Sequence, residues 1–214
     1  MSERVELEAL DLAALLCSRV CHDIISPVGA IINGLEVLDE DDGEMREFAF
    51  DLIRRSADQA SAKLQFARLA FGAAGSTGAE IDLGDAETVA SAYMKGEKPE
   101  FEWQGPRVLM AKNRVKLLLN LILLAVAAVP RGGRVSVVVE GEAERPRFVL
   151  RSSGRNARVP PAFEKLVPGD IAGIAIDAQA VQGYYTGALA RECGMSVTAV
   201  ADGEDIVITA VSDD

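Results

Sequence analysis

The sequence predicts an α+β protein, an N-terminal antiparallel helical hairpin followed by a C-terminal α/β sandwich. Three observations carry the prediction. Residues 5–71 keep a helical apolar period. A run of small residues over 72–80 (Gly-Ala-Ala-Gly-Ser-Thr-Gly-Ala-Glu) then interrupts it. Beyond that linker, helical and alternating strand-like segments take turns. One unit therefore spans residues 1–72 and a second spans 80–214.

In the first unit, Cys17, Cys21, Ile24, Val28, Ile31, Leu35 and Leu38 recur at spacings of four and three. That is a seam of period 3.5, as in helices packed side by side in a bundle. The charged run Asp39-Glu40-Asp41-Asp42-Gly43 ends it in a turn. A second helix is expected over 44–71, with Ala49, Ile53, Ala57, Ala60, Leu64, Ala67 and Phe71 as its apolar stripe. Two helices joined by a short turn make an antiparallel hairpin. Such a hairpin cannot cover both its faces, and pairing with a second copy into a four-helix bundle solves this. The alternative is packing against the rest of its own chain.

The second unit opens with a helix over 85–94 and a short strand over 101–103. An apolar helix over 113–129 follows, then strands over 135–140 and 147–151. A helix over 177–193 ends at Gly194, and strands over 196–201 and 205–211 form a hairpin around Asp202-Gly203. Helices on one face of a mixed sheet give the sandwich.

Composition narrows the function classes. The chain has 214 residues with a formal net charge of −11, so nucleic-acid backbones repel it. It has three cysteines, an odd number in a chain too long for a disulfide scaffold, which points to reduced thiols in a cytoplasm. The acidic N-terminus lacks the apolar core of a signal peptide. The apolar run 115–129 contains Lys116 and Asn120 and is shorter than the roughly 20 residues of a membrane span. A cytoplasmic protein without membrane contact is expected.

The chain has one histidine, His22. It lies one step off the apolar seam, in the small and polar stripe Ser18, His22, Gly29 and Glu36, so its ring is expected to face solvent. Asp23 follows it, and Pro27 stands five residues on, where it removes a helical hydrogen bond. A neutral imidazole nitrogen is a good nucleophile near neutral pH. An adjacent carboxylate can hold the other ring N–H and orient the ring. Two other readings exist for His22. One is a surface histidine without chemistry. The other is haem or metal attachment through Cys17 and Cys21, although three residues separate these cysteines where the common haem motif has two.

The segment His22-Asp23-Ile24-Ile25-Ser26-Pro27-Val28 resembles the phosphoacceptor box of two-component histidine kinases. In that family the box lies on the first helix of a dimeric hairpin, followed by an ATP-binding α/β sandwich, so the resemblance extends to the fold. The nucleotide motifs do not follow. Where the family has a second asparagine four residues beyond Asn120 to hold Mg²⁺, this chain has Leu124, which offers a hard cation no oxygen. The segment matching Asp-x-Gly-x-Gly is Ser152-Ser153-Gly154-Arg155-Asn156, without the adenine-binding aspartate. The phosphate-cradling segment reads Gln182-Gly183-Tyr184-Tyr185-Thr186-Gly187-Ala188, with two tyrosines where backbone must approach phosphate.

A kept fold with a lost ATP site resembles the dimeric histidine phosphotransferases of the ChpT family, over nearly the whole chain. The resemblance implies a homodimeric phosphorelay carrier with no autokinase activity. The receiver aspartate of a hybrid kinase donates phosphate to His22, and His22 passes it to the receivers of response regulators that govern cell-cycle transcription and proteolysis. It implies no cofactor of its own, Mg²⁺ arriving with the receiver. His22 is the nucleophile and Asp23 the orienting base. The helix surface below His22 is the expected docking platform: Ile25, Gly29 and Ile32, with Leu52 and Ser56 opposite on the second helix and Arg54 and Arg55 available to phosphate or to receiver carboxylates. Arg145, Arg147, Arg151, Arg155 and Arg158 are expected to cluster around the former adenine loop and steer acidic partners, with Arg155 and Arg158 in contact. The rival functions are a kinase with a divergent ATP site and a kinase-like scaffold or anti-kinase that carries no phosphate.

Overall fold

The computed structural model describes residues 6–39, 45–72 and 79–213. Two long helices come first, α1 (Ala9–Asp39) and α2 (Arg46–Ala70). They run side by side, with Gly34 against Ala49 and Ile53. A Cβ at Gly34 would come within 2.6 Å of the Ile53 side chain, so the missing side chain sets how closely the helices approach. Pro27 sits inside α1, buried, without ending it. Most of the expected turn, like most of the linker over 72–80, lies outside the described residues.

After β1 (Glu80–Asp82) comes α3 (Leu83–Met94), capped by the Asp82 carboxylate accepting from the Gly84 N–H at 2.6 Å. Then follow β2 (Glu100–Gln104), β3 (Leu109–Ala111), α4 (Lys112–Ala128), β4 (Arg134–Glu142) and β5 (Arg145–Ser153). The chain closes with α5 (Val181–Glu192), β6 (Met195–Asp202) and β7 (Asp205–Ser212). The main sheet has the order β2-β4-β5-β7-β6, parallel only between β2 and β4. β1 and β3 make a separate antiparallel pair. The architecture is the α+β one the sequence predicts.

The core lies between one sheet face (Val135, Val137, Phe148, Leu150, Ile206 and Ile208) and the helices. α4 is buried without a break from Val115 to Ala125, because the sheet, α2, α3 and α5 all pack on it. A helical stretch apolar on nearly every side, interrupted only by Lys116 and Asn120, is stable only in such a position.

α5 begins four residues later than its apolar pattern predicts. The Asp177 carboxylate accepts from the N–H groups of Gln179 and Ala180, making a local turn ahead of the helix. These two bonds hold the Asp177 carboxyl below the usual carboxylate range.

By length and composition α1 could cross a membrane, with a mean hydropathy of 1.4 over 18 residues. Here it lies along α2 and α5 and carries Arg19 and Asp23 in its middle. Its outer apolar side is uncovered in the single chain. Cys17 and Cys21, on the predicted apolar seam, are exposed in the single chain. They line an apolar groove with Leu16 and Val20 of α1 and Leu64 and Phe71 near the end of α2.

Candidate functional site

α1 presents His22 outward, with 65% of its side chain exposed. The ring Nδ1 lies 3.3 Å from Asp23 Oδ1. A carboxylate only accepts, so a neutral ring making this bond carries its proton on Nδ1 and leaves Nε2 with a free lone pair. The other carboxylate oxygen of Asp23 accepts from Arg19 Nε at 3.0 Å. Arg19 was not among the residues singled out from the sequence. Its spacing of four from Asp23 on one helix is the signal that could have found it.

Below the histidine, Ile25 is 72% and Ile32 51% exposed. Gly29 lies between them, with no atom within 4 Å of where a Cβ would stand. These three form an open, apolar and shallow strip beside the ring. On α2, Leu52 is half-buried and Arg54 exposed. Arg55 is exposed but paired with Asp51 one turn back, so its charge is partly spent within the helix. Ser56 does not belong to the platform. It is 6% exposed, on the side of α2 that holds Ala49 and Ala60.

The positions that correspond to the nucleotide motifs bond inward. Asn120 is fully buried. Its Nδ2 donates to the Ala70 carbonyl of α2 at 3.1 Å and to the Lys116 carbonyl at 2.7 Å, and its Oδ1 accepts from Gln182 Nε2 at 2.7 Å. Ser152 Oγ donates to the Ala125 carbonyl at 2.8 Å. The Tyr184 hydroxyl accepts from the Leu7 N–H at 3.1 Å, and the Tyr185 ring lies 5.9 Å from Phe71. At Gly183 a Cβ would meet Ala162 Cβ at 2.6 Å, and at Gly187 the Val167 carbonyl stands directly against the backbone. Glycines that admit phosphate in a nucleotide site here admit the chain's own loop.

What remains beside α5 is a cleft lined by Leu123, Leu124, Ala127, Pro160 and Gln179, with Arg19 of α1 on its wall. No group of three or more His, Cys, Asp or Glu among the described residues could hold a metal ion.

The arginines do not form one cluster. Arg145 and Arg151 stand six residues apart on β5, about 20 Å at the rise of a strand. Arg147 pairs with Glu140 at 3.0 Å, and Arg151 with Asp202 at 2.7 Å and Asp205 at 2.9 Å. Arg155 and Arg158 are exposed in the loop after β5. Arg155 shares its cleft with Glu100, Glu204 and Asp205, so the local field is mixed rather than uniformly positive.

Near the site, burial raises the Tyr93 hydroxyl well above its ordinary range, with Glu97 and Asp23 adding to the shift. Tyr93 therefore stays protonated beneath Asp23 and competes for no proton.

Comparison with known proteins adds a relative and a family. The family described as "Histidine phosphotransferase C-terminal domain" matches residues 83–205. Protein phosphotransferase ChpT of Brucella abortus (strain 2308) is 58% identical over 210 residues, 98% of this chain and 100% of the relative. A solved bacterial phosphotransferase superposes with a TM-score of 0.89 at 56% identity, covering 98% of this chain and 100% of its own.

Proposed function

Because the chain belongs to the histidine phosphotransferase family that includes ChpT, we propose that it is a phosphorelay carrier loaded on His22 by other proteins rather than by ATP. The observation that carries this reading is the exposed imidazole with Nδ1 facing Asp23. A receiver aspartyl phosphate approaches Nε2 in line. The Nε2–P bond forms as the acyl P–O bond breaks, and the receiver carboxylate leaves with the electron pair. Nδ1 keeps its proton, and the Asp23 carboxylate faces the positive charge that develops on the ring. The reverse sequence delivers the phosphoryl group to the aspartate of the next receiver.

The inward bonding of Asn120, Ser152 and Tyr184 supports a domain that binds no ATP. The receivers, one from a hybrid kinase and others from response regulators, bring the Mg²⁺ and meet the strip Ile25, Gly29 and Ile32, with Leu52, Arg54 and Arg55 at its edge. Arg155 and Arg158 touch the docked receiver from the second domain. The chain works in the cytoplasm, where receivers are found, and as a homodimer. The uncovered apolar groove of Cys17, Cys21 and Leu64 supports a second copy closing the bundle. Incubation with a labelled phosphoreceiver tests the reading. His22→Ala is expected to take up no label while melting as the parent does. Label retained in that variant would refute the assignment.

A further inference from the structure

We propose that Arg19 is a positioning residue for the transfer, holding Asp23 so that its other oxygen fixes the His22 tautomer. This rests on His22 as phosphoacceptor, the reading given above. Three side chains on one helix form a line: Arg19 Nε to Asp23 Oδ2 at 3.0 Å, then Asp23 Oδ1 to His22 Nδ1 at 3.3 Å. Exposure rises along that line, from 19% for Arg19 to 25% for Asp23 and 65% for His22. The end that is held is the inner one, and the end that reacts is the outer one.

Arg19 also borders the second domain. It forms a wall of the cleft with Leu123, Leu124, Ala127 and Pro160 of the second domain. Leu124, where the resemblance to kinases would put the Mg²⁺ ligand, is an aliphatic neighbour in that cleft, and it leaves the wall beside Arg19 apolar.

A single i,i+4 ion pair on a helix adds little to stability, so stability is not its use. Its use is geometric. The bond from Asp23 to the ring is long, and an unrestrained aspartate would turn its carboxylate into water. With Oδ2 occupied by Arg19, Oδ1 stays against Nδ1. The ring proton then stays on Nδ1, and the Nε2 lone pair remains available to phosphorus. No proton moves in the step, and the attacking pair comes from a nitrogen that is already bare.

The protein's single histidine makes the test direct. In untagged protein labelled with ¹⁵N-histidine, the two ring nitrogen shifts report the tautomer of His22 alone. The parent is expected to show the Nδ1–H form in excess. Arg19→Gln, which keeps most of the stem, and Arg19→Ala should move the ratio toward that of a free imidazole. Both should lower kcat for transfer from a phosphoreceiver about tenfold with KM little changed, because the bound phosphoryl group then meets a less well oriented imidazole. Arg19→Lys keeps the charge without the fork and should recover part of the loss. An unchanged tautomer ratio in Arg19→Gln, or a loss confined to KM, would overturn the proposal. The tautomer readout stands even if His22 takes up no phosphate, so failure here and failure of the relay reading are distinguishable.

Discussion

Replacing Asn120 by alanine tests whether this motif residue has become an internal staple. Its amide makes three hydrogen bonds at a site with no water access. They do not weigh equally. The Lys116 carbonyl lies four residues back on the same helix and keeps its backbone partner, so its loss costs little. The Ala70 carbonyl belongs to the last turn of α2, where intrahelical donors run out, and Ala70 is fully buried. Gln182 Nε2 would keep only a 3.5 Å contact with Thr186. Gln182 Oε1 has no partner among the described residues, so the loss would add to a side chain that is already incompletely satisfied. Two orphaned buried groups at about 1–3 kcal/mol each give a loss of roughly 3 kcal/mol. That is a large share of the 5–15 kcal/mol typical of a folded protein. Urea titration followed by circular dichroism measures it, and hydrogen exchange at the end of α2 shows whether the joint between the domains opens first. Asn120→Asp separates two roles. A residue kept for Mg²⁺ would tolerate the carboxylate. A staple would not, because the carboxylate would face two carbonyl oxygens. A loss under 1 kcal/mol for Asn120→Ala, or an Asn120→Asp as stable as the parent, would refute the staple.

Thiol labelling at pH 8 should divide the cysteines. Burial pushes the Cys193 thiol up to about 11, so at pH 8 it holds its proton and reacts slowly, speeding up only as the pH approaches that value. Cys17 and Cys21 are exposed in the single chain and should label fast in dilute protein and slowly once a second copy closes the groove; labelling independent of protein concentration would contradict the dimer. For the second domain's part in docking, Arg155→Ala with Arg158→Ala should lower kcat/KM for a receiver at low salt, with the difference shrinking at high salt. Unchanged low-salt rates would remove these residues from the interface.

Much of this architecture was readable from periodicity. His22 faces outward as expected, but so do the seam residues Cys17, Cys21, Val28 and Leu35 in the single chain, and the side of α1 that is buried holds Pro27 and Gly34. The hairpin around Asp202-Gly203 is present with Asp202 paired to Asp205. What was missed has physical causes. Three-residue strands such as Glu80–Asp82 carry too few side chains to show alternation. The arginines look like a cluster because they are close in sequence, but an extended strand spreads them, and the partners of Arg151, Asp202 and Asp205, come from over 50 positions away. Ser56 was legible and misread. Its spacings of seven from Ala49 and four from Ala60 place it on the buried stripe, where a small hydroxyl passes unnoticed among alanines. The inward bonds of Asn120 and Tyr184 could not be read, since neither a kept motif residue nor a replaced one shows in sequence what it bonds to in the fold.

The most direct test of the central claim is two incubations of the untagged protein, one with labelled ATP and Mg²⁺ alone and one with a receiver domain already carrying labelled phosphate. A relay without its own nucleotide chemistry predicts no label from ATP and label on His22 from the receiver. Label from ATP alone would make the chain a kinase, and label from neither would make it a scaffold; either result contradicts the account.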